Sequence, residues 1–238
     1  MVVLKAAMDI EDFNVRFRKG SRAVFAGEYA VVGDVHLGFE EDINSNGYNI
    51  WEKTDEITDQ IIKIGSKKLI LLGDIRKEYT EIKPKEGGAL IKFFSRLSDN
   101  FDEIILTKGN HDGGIEKITS RFGNVSVKNE FIYNKIGFMH GHALPSVELS
   151  REAETLCISH VHPSFTFRDS NGVSYKEDCF FMLKLKLPRE KYPGSKLKKA
   201  IIVPKFNPYI GSSTEISNRG IMKYAEIDGK MTLDLVVF

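Results

Sequence analysis

Four of the chain's six histidines sit in two pairs, each two residues apart, in GFMHGHALP (137–145) and ISHVHPSF (158–165). The other two close apolar runs in AVVGDVH and IILTKGNHD. With LILLGD these make five apolar runs, each ending in residues that can bind metal or move protons. They collect Asp34, His36, Asp74, Asn110, His111, His140, His142, His160 and His162. Aspartate, asparagine and histidine without thiolate suit Mn²⁺, Fe or Zn²⁺ rather than a cysteine-type structural zinc. Two such ions roughly 3.5–4 Å apart can generate hydroxide at neutral pH and stabilise both oxygens of an in-line displacement.

The spacings carry further expectations. In an extended segment residues two apart face one side. Asp34 and His36 can then grip one ion, and His160 and His162 can reach one binuclear centre. Adjacent residues face differently, so Asn110 can hold metal while His111 turns to a substrate. Glycines at 33, 73, 109 and 141 let the chain turn sharply and leave room for a ligand. Each motif alone says little; the set is informative because five coincide.

Something must position these run ends. YAVVGD (29–34), KKLILLGD (67–74) and DEIILTKGN (102–110) read as strands. Between them, 50–65 and 87–101 read as helices, the second with Leu90, Phe93, Phe94 and Leu97 at i, i+3, i+4, i+7 spacing. A β-α-β-α-β order implies a partly parallel sheet, whose ligand site lies beyond the strands' carboxyl ends. Farther on, 130–141 reads as a hairpin about Asn134-Lys135, 164–187 as strands about Asp169–Gly172, and 222–238 as a hairpin about Asp228-Gly229. The expected class is α/β (α+β): two mixed sheets packed together and flanked by helices, as one domain over 1–238 with no boundary to split it.

Composition narrows the function classes. A net charge of +1 sets up no global field toward nucleic acid or membrane, and 42% hydrophobic residues suffice for a sizeable core. No run approaches the roughly 20 apolar residues of a membrane span. The two cysteines, Cys157 and Cys179, read as buried thiols, too few for a disulfide scaffold. The expected location is cytoplasmic. The run at 184–199 holds seven basic residues and one acidic, and reads as a solvated surface or as a phosphate-tracking patch.

The order Asp-x-His, Gly-Asp, Gly-Asn-His-Asp, His-Gly-His, His-x-His resembles the calcineurin-like metallophosphoesterase superfamily over about residues 30–165. GDVHLGFEE, GNHDGGIE, HGHALP and IIVPKFNPYIG (201–211) are similar to a small archaeal and bacterial subgroup related to the nuclease subunits of double-strand-break repair complexes. The resemblance implies a four-layer α/β/β/α sandwich and two divalent metal ions, Mn²⁺ foremost, with Fe, Zn²⁺ or Ni²⁺ as alternatives. By motif, Asp34, His36 and His162 hold the first ion, Asn110, His140 and His160 the second, and Asp74 bridges them. His111 is then the catalytic proton donor, oriented by Asp112. His142 has no ligand slot left and falls near the substrate. Two departures, GDIRK with Lys77 in place of an acidic or amide residue and Ser159 in place of glycine, remove no ligand. Arg76, Lys77 and Lys108 can face a phosphate or be loop cations. Three function classes follow: a phosphodiesterase or nuclease acting on DNA or RNA, a phosphomonoesterase, and a non-catalytic binding or scaffold protein. Homo-oligomers fit any of these.

Overall fold

Alternation along the strands sets the layers. In β3 (Tyr29–Val32), Ala30 and Val32 pack to one side, Tyr29 and Val31 to the other. β4 (Lys68–Leu71) and β5 (Glu103–Thr107) repeat this, with Leu69, Leu71, Ile104 and Leu106 on the first side and Ile70 and Ile105 on the second. Strands buried on both faces belong inside a sandwich. The computed structural model describes residues 13–39, 53–214 and 220–224, and the backbone of 236–237.

The first sheet has the order β1-β2-β3-β4-β5-β6, with β1 (Arg16–Phe17), β2 (Val24–Ala26) and β6 (Val125–Lys128). β3 to β6 are parallel, and β1 and β2 add an antiparallel margin that periodicity did not reveal. The second sheet uses β7 (Phe131–Tyr133), β8 (Ile136–Phe138), β9 (Thr155–Ile158), β10 (Ser164–Arg168), β11 (Ser174–Lys184) and β12 (Lys199–Ile202). Its order is β10-β11-β12-β9-β8-β7, with β13 (Val236–Val237) against β11. β8, β9 and β12 are parallel.

Between the sheets, Val31, Ile70 and Ile105 share a core with Phe138, Cys157, Phe180 and Ile201. α1 (Thr54–Ile62) and α2 (Pro84–Ser98) cover the first sheet with Ile57, Ile61, Leu90, Phe93, Phe94 and Leu97. α3 (Glu116–Thr119) follows β5. α4 (Val147–Glu152) places Leu149 on the second sheet, where Leu197 and Ile221 complete a thinner outer layer. This is the four-layer α/β/β/α sandwich. Both cysteines are buried free thiols, and burial pushes Cys179 up to about 12.

Local details follow the chemistry. Asn134 (φ 50°) and Lys135 (φ 63°) are both left-handed, as a two-residue type I′ hairpin requires. α2 starts at Pro84 rather than 87, because proline suits the first helical position. The N-terminal part of the helix expected over 50–65 lies outside the described residues, as does Asp228-Gly229. Met222–Tyr224 belong to a 3₁₀ turn (Gly220–Tyr224) rather than to a hairpin strand. The basic segment 184–199 leaves β11 and enters β12 beside Thr155, where the parallel strands begin. That is the edge opposite the histidines, so it does not adjoin them.

Candidate metal centre

β3, β4, β5, β8 and β9 all run the same way into Asp34, Asp74, Asn110, His140 and His160. The two sheets meet at this rim through direct hydrogen bonds. Ser159 Oγ donates to the Leu72 carbonyl (2.6 Å), and the His160 backbone N–H donates to Asp34 Oδ2 (2.9 Å). Ser159 thus does what a glycine could not, and its side chain explains Gly33. A Cβ on residue 33 would lie 2.5 Å from Ser159 Cβ. Gly109 is equally constrained, since its Cβ would fall 2.2 Å from Asp74 Oδ1. These glycines make room for neighbouring side chains rather than for a ligand.

The sequence pairs meet for a reason other than the one expected. Asp34 (φ 55°), His36 (41°), Asp74 (50°), His160 (69°) and His162 (50°) all have left-handed backbone, so neither pair lies on an extended segment. Such a conformation costs roughly 1–2 kcal/mol for each non-glycine residue, and clusters of it mark functional sites. Loop-to-loop bonds hold it. The N–H groups of Asp34, His36 and Leu37 donate to the carbonyls of Gly73, Asp74 and Ile75 at 3.2, 2.9 and 2.8 Å. Buried Asn207 donates from Nδ2 to the carbonyls of Val35 (2.9 Å) and His36 (3.3 Å).

Each carboxylate is half committed. Asp34 spends Oδ2 on the His160 N–H and turns Oδ1 toward His162 Nε2 (3.3 Å) and His140 Nδ1 (3.9 Å). Asp74 spends Oδ1 on the His111 N–H (2.9 Å). Its Oδ2 faces Nε2 of His140 (3.1 Å), His36 (3.7 Å) and His111 (3.8 Å). Three imidazoles are aimed alike. Nδ1 of His111, His140 and His162 meets the carbonyl of Lys77, Leu72 and Gly211 respectively. A carbonyl only accepts, so each Nδ1 carries hydrogen and each Nε2 keeps its lone pair or gains a second proton. His160 Nδ1 lies 3.1 Å from His140 Nε2.

Three donor groups result, each with its atoms within 4.8 Å of one another: Asp34, His36 and His162; His36, Asp74 and His111; Asp74, His140 and His160. Among the described residues, buried Asp34 Oδ1, His36 Nε2 and Asn110 Oδ1 have no hydrogen-bond partner. Unpaired buried donors and acceptors are costly, and these three atoms are good ligands for divalent cations. The residues therefore fit a metal centre. His142 is exposed, belongs to none of the three groups, and puts its ring 5.4 Å from that of His140.

Three expected roles change. Asp112 does not orient the His111 ring. Its buried carboxylate accepts backbone N–H bonds from Asp74 (2.8 Å), Gly109 (2.9 Å), Ile75 (2.9 Å) and Arg76 (3.3 Å), tying the β4 loop to the β5 loop. Arg76 faces no phosphate. It is 0% exposed, pairs with Glu86 at 2.6 and 3.0 Å, and donates to the carbonyls of Gly113 and Thr80. Lys108 is taken up by Glu116 (2.5 Å). Tyr79 joins the site without a sequence motif to mark it: 68% exposed, it stacks on His111 with centroids 3.6 Å apart, and its hydroxyl accepts from Asn110 Nδ2 (3.3 Å). An aromatic beside GDIRK was its only sequence signal.

The electrostatics divide the histidines. Burial lowers His140, but the Asp74 hydrogen bond and the charges of Asp34 and Asp74 outweigh it and lift its pKa to about 9. Burial lowers His36 and His160 to about 4. For His162, burial is again outweighed by Asp34, and the pKa is raised. A cation needs the His140 lone pair, so loading at pH 7.5 should release about one proton from His140 and a further fraction from His162. Calorimetric Mn²⁺ titrations in two buffers of different ionisation enthalpy would count them; a count of zero contradicts this geometry. The stability signs are opposite. The raised His140 pKa stabilises the metal-free fold fully below pH 6.5, and this is lost as pH rises through about 9. Metal loading strengthens over the same interval.

Ligand loops at five strand ends, left-handed at the ends of β3, β4 and β9, converge on a shared carboxylate and define the site as a metal centre. The chain belongs to the calcineurin-like phosphoesterase family, which it matches over residues 28–238. Among solved structures, it is similar to the nuclease MPE of Pseudomonas putida at 16% identity and a TM-score of 0.55, covering 89% of this chain and 98% of that one. It is also similar to AQ665 of Aquifex aeolicus, of unknown function (17%, TM-score 0.38, 56% and 78% covered). The phosphoesterase Yfce of E. coli follows (13%, TM-score 0.37, 60% and 74% covered). At these identities the first likeness is one of fold. A comparison with curated proteins finds no match. Among the described residues no helix is long and apolar enough to cross a membrane.

Proposed function

We propose that this chain is a phosphodiesterase, and specifically a nuclease, built on two divalent cations in one domain. The observation that carries the two-cation reading is the fusion of donor groups at Asp74, whose Oδ2 faces three imidazoles. Asp34, His36 and His162 would hold one cation, and Asn110, His140 and His160 the other, with Asp74 common to both. When bound, the cations activate water and neutralise charge developing on the phosphoryl oxygens.

The chain's own residues do the rest. His111, with Nδ1 tied to the Lys77 carbonyl, exchanges its proton at Nε2 and donates it to the departing oxygen. Exposed His142, at the rim, donates a hydrogen bond to a phosphate oxygen. Tyr79 beside His111 offers an aromatic wall to the organic part of the leaving group. A metal-by-substrate matrix on the purified protein tests this. Bis-p-nitrophenyl phosphate should turn over faster than p-nitrophenyl phosphate with Mn²⁺, and oligonucleotides should be cut. Preference for the monoester would make the protein a phosphomonoesterase instead.

A further inference from the structure

The turn between β1 and β2 sits on the same rim as the metal centre. Antiparallel pairing sets Phe17 opposite Val24 and Val24 opposite Val31, so residues 18–22 fall where β3 runs into Asp34. Beside this turn lies a cleft of about 460 Å³, walled by Arg18–Arg22 and by Gln60, Lys63 and Ile64 at the end of α1. Its floor is Phe206, whose N–H donates to the Gly33 carbonyl (2.8 Å), one residue from Asn207. Four lining residues, Arg18, Lys19, Arg22 and Lys63, are cations, and none of the described lining residues is acidic. Arg18 is fixed there, donating to the Ile64 carbonyl (2.6 Å) and lying over the Phe25 ring (4.5 Å).

The positive charge continues toward the ligands. Lys205 and Arg22 share one carboxylate oxygen of Asp178 at 2.7 and 3.4 Å. Lys176, two residues along the same face of β11, reaches the Ser212 carbonyl, and Ser213 N–H donates to the carbonyl of His162. Arg22 and the buried Lys205 thus share one acid, and Lys176 lies two residues away on the same strand. A small phosphate ester would spend its phosphate at the metal centre and leave this surface unused. A polyanion would not.

We propose that the cleft between the 18–22 turn and α1 tracks the phosphate backbone of a polynucleotide whose next phosphodiester lies at the metals. The inference rests on the phosphodiesterase reading and locates the path of the strand beyond the metals. The basic run at 184–199, on the opposite edge, takes no part.

The test uses the full-length double variant Lys19→Glu/Lys63→Glu, with Arg189→Glu/Lys196→Glu as the matched control. Anisotropy with a labelled single-stranded oligonucleotide should show Kd weakened tenfold or more in the first variant and unchanged in the control. The salt slope of log Kd should fall by about 1.4, at about 0.7 per phosphate contact on a single strand. Hydrolysis of bis-p-nitrophenyl phosphate should stay at the wild-type rate. Absence of oligonucleotide binding by wild type at low salt, equal Kd in wild type and first variant, or equal weakening in the control would each overturn the proposal. Binding is read without turnover, so an inactive wild type that still binds through this cleft would count against the diesterase reading alone.

Discussion

Replacing His111 by alanine is expected to lower turnover by about 10²–10⁴, the usual worth of a general acid, while the metal content per chain stays unchanged. The geometry makes a sharper statement. The Lys77 carbonyl fixes Nδ1–H, so the labile proton is on Nε2, which points into the site. An alkoxide leaving from a dinucleotide needs that proton; a nitrophenolate scarcely does. The variant should therefore lose most of its rate on dinucleotides and much less on bis-p-nitrophenyl phosphate. Equal losses on both, with metal lost as well, would instead make His111 a ligand alongside His36 and Asp74, with which its Nε2 is grouped. Full activity on the dinucleotide would end the assignment.

The Asp112→Asn variant should lose both stability and metal. Burial pushes the Asp112 pKa up, but four backbone N–H donors occupy its two oxygens and leave no oxygen free for a proton. The group is therefore a carboxylate. An amide would turn its NH₂ against two of those donors, leaving buried N–H groups unpaired at about 1–3 kcal/mol each. For a chain of this size the result is a Tm lower by roughly 10 °C, taking 2–4 °C per kcal/mol. Asp74 should move with the loop, and both cations should leave, because its two oxygens serve the His111 N–H and the shared imidazoles. Thermal melts and metal analysis would show this. An unchanged Tm with a lower rate would return Asp112 to orienting His111.

These two neighbours show how unevenly the site was legible. His111 and Asp112 stand side by side in GNHD, yet the ring of one faces the chemistry and the carboxylate of the other faces backbone 36–38 residues earlier. Arg76 looked available for phosphate from its place after Gly-Asp, but α2 brings Glu86 onto it and closes every donor direction. Ser159 departed from the expected glycine and proved to knit the two sheets together at Leu72. Asn207 and Tyr79 carry no periodic signal, because each acts on a loop far away or on a ring that a turn presents to it.

What the sequence determined by itself is what depends on neighbours along the chain. Alternating apolar residues made the strands, i, i+3, i+4, i+7 spacing made α2, and polar residues at the run ends named the donors. Parallel strands then had to deliver those ends to one rim. The tertiary structure alone decided which oxygen of Asp34 and Asp74 remains for metal, which nitrogen of each histidine points inward, and which cations are already paired. Those choices depend on hydrogen-bond partners up to 172 residues away and on left-handed backbone held by them, neither of which leaves a local pattern in the chain.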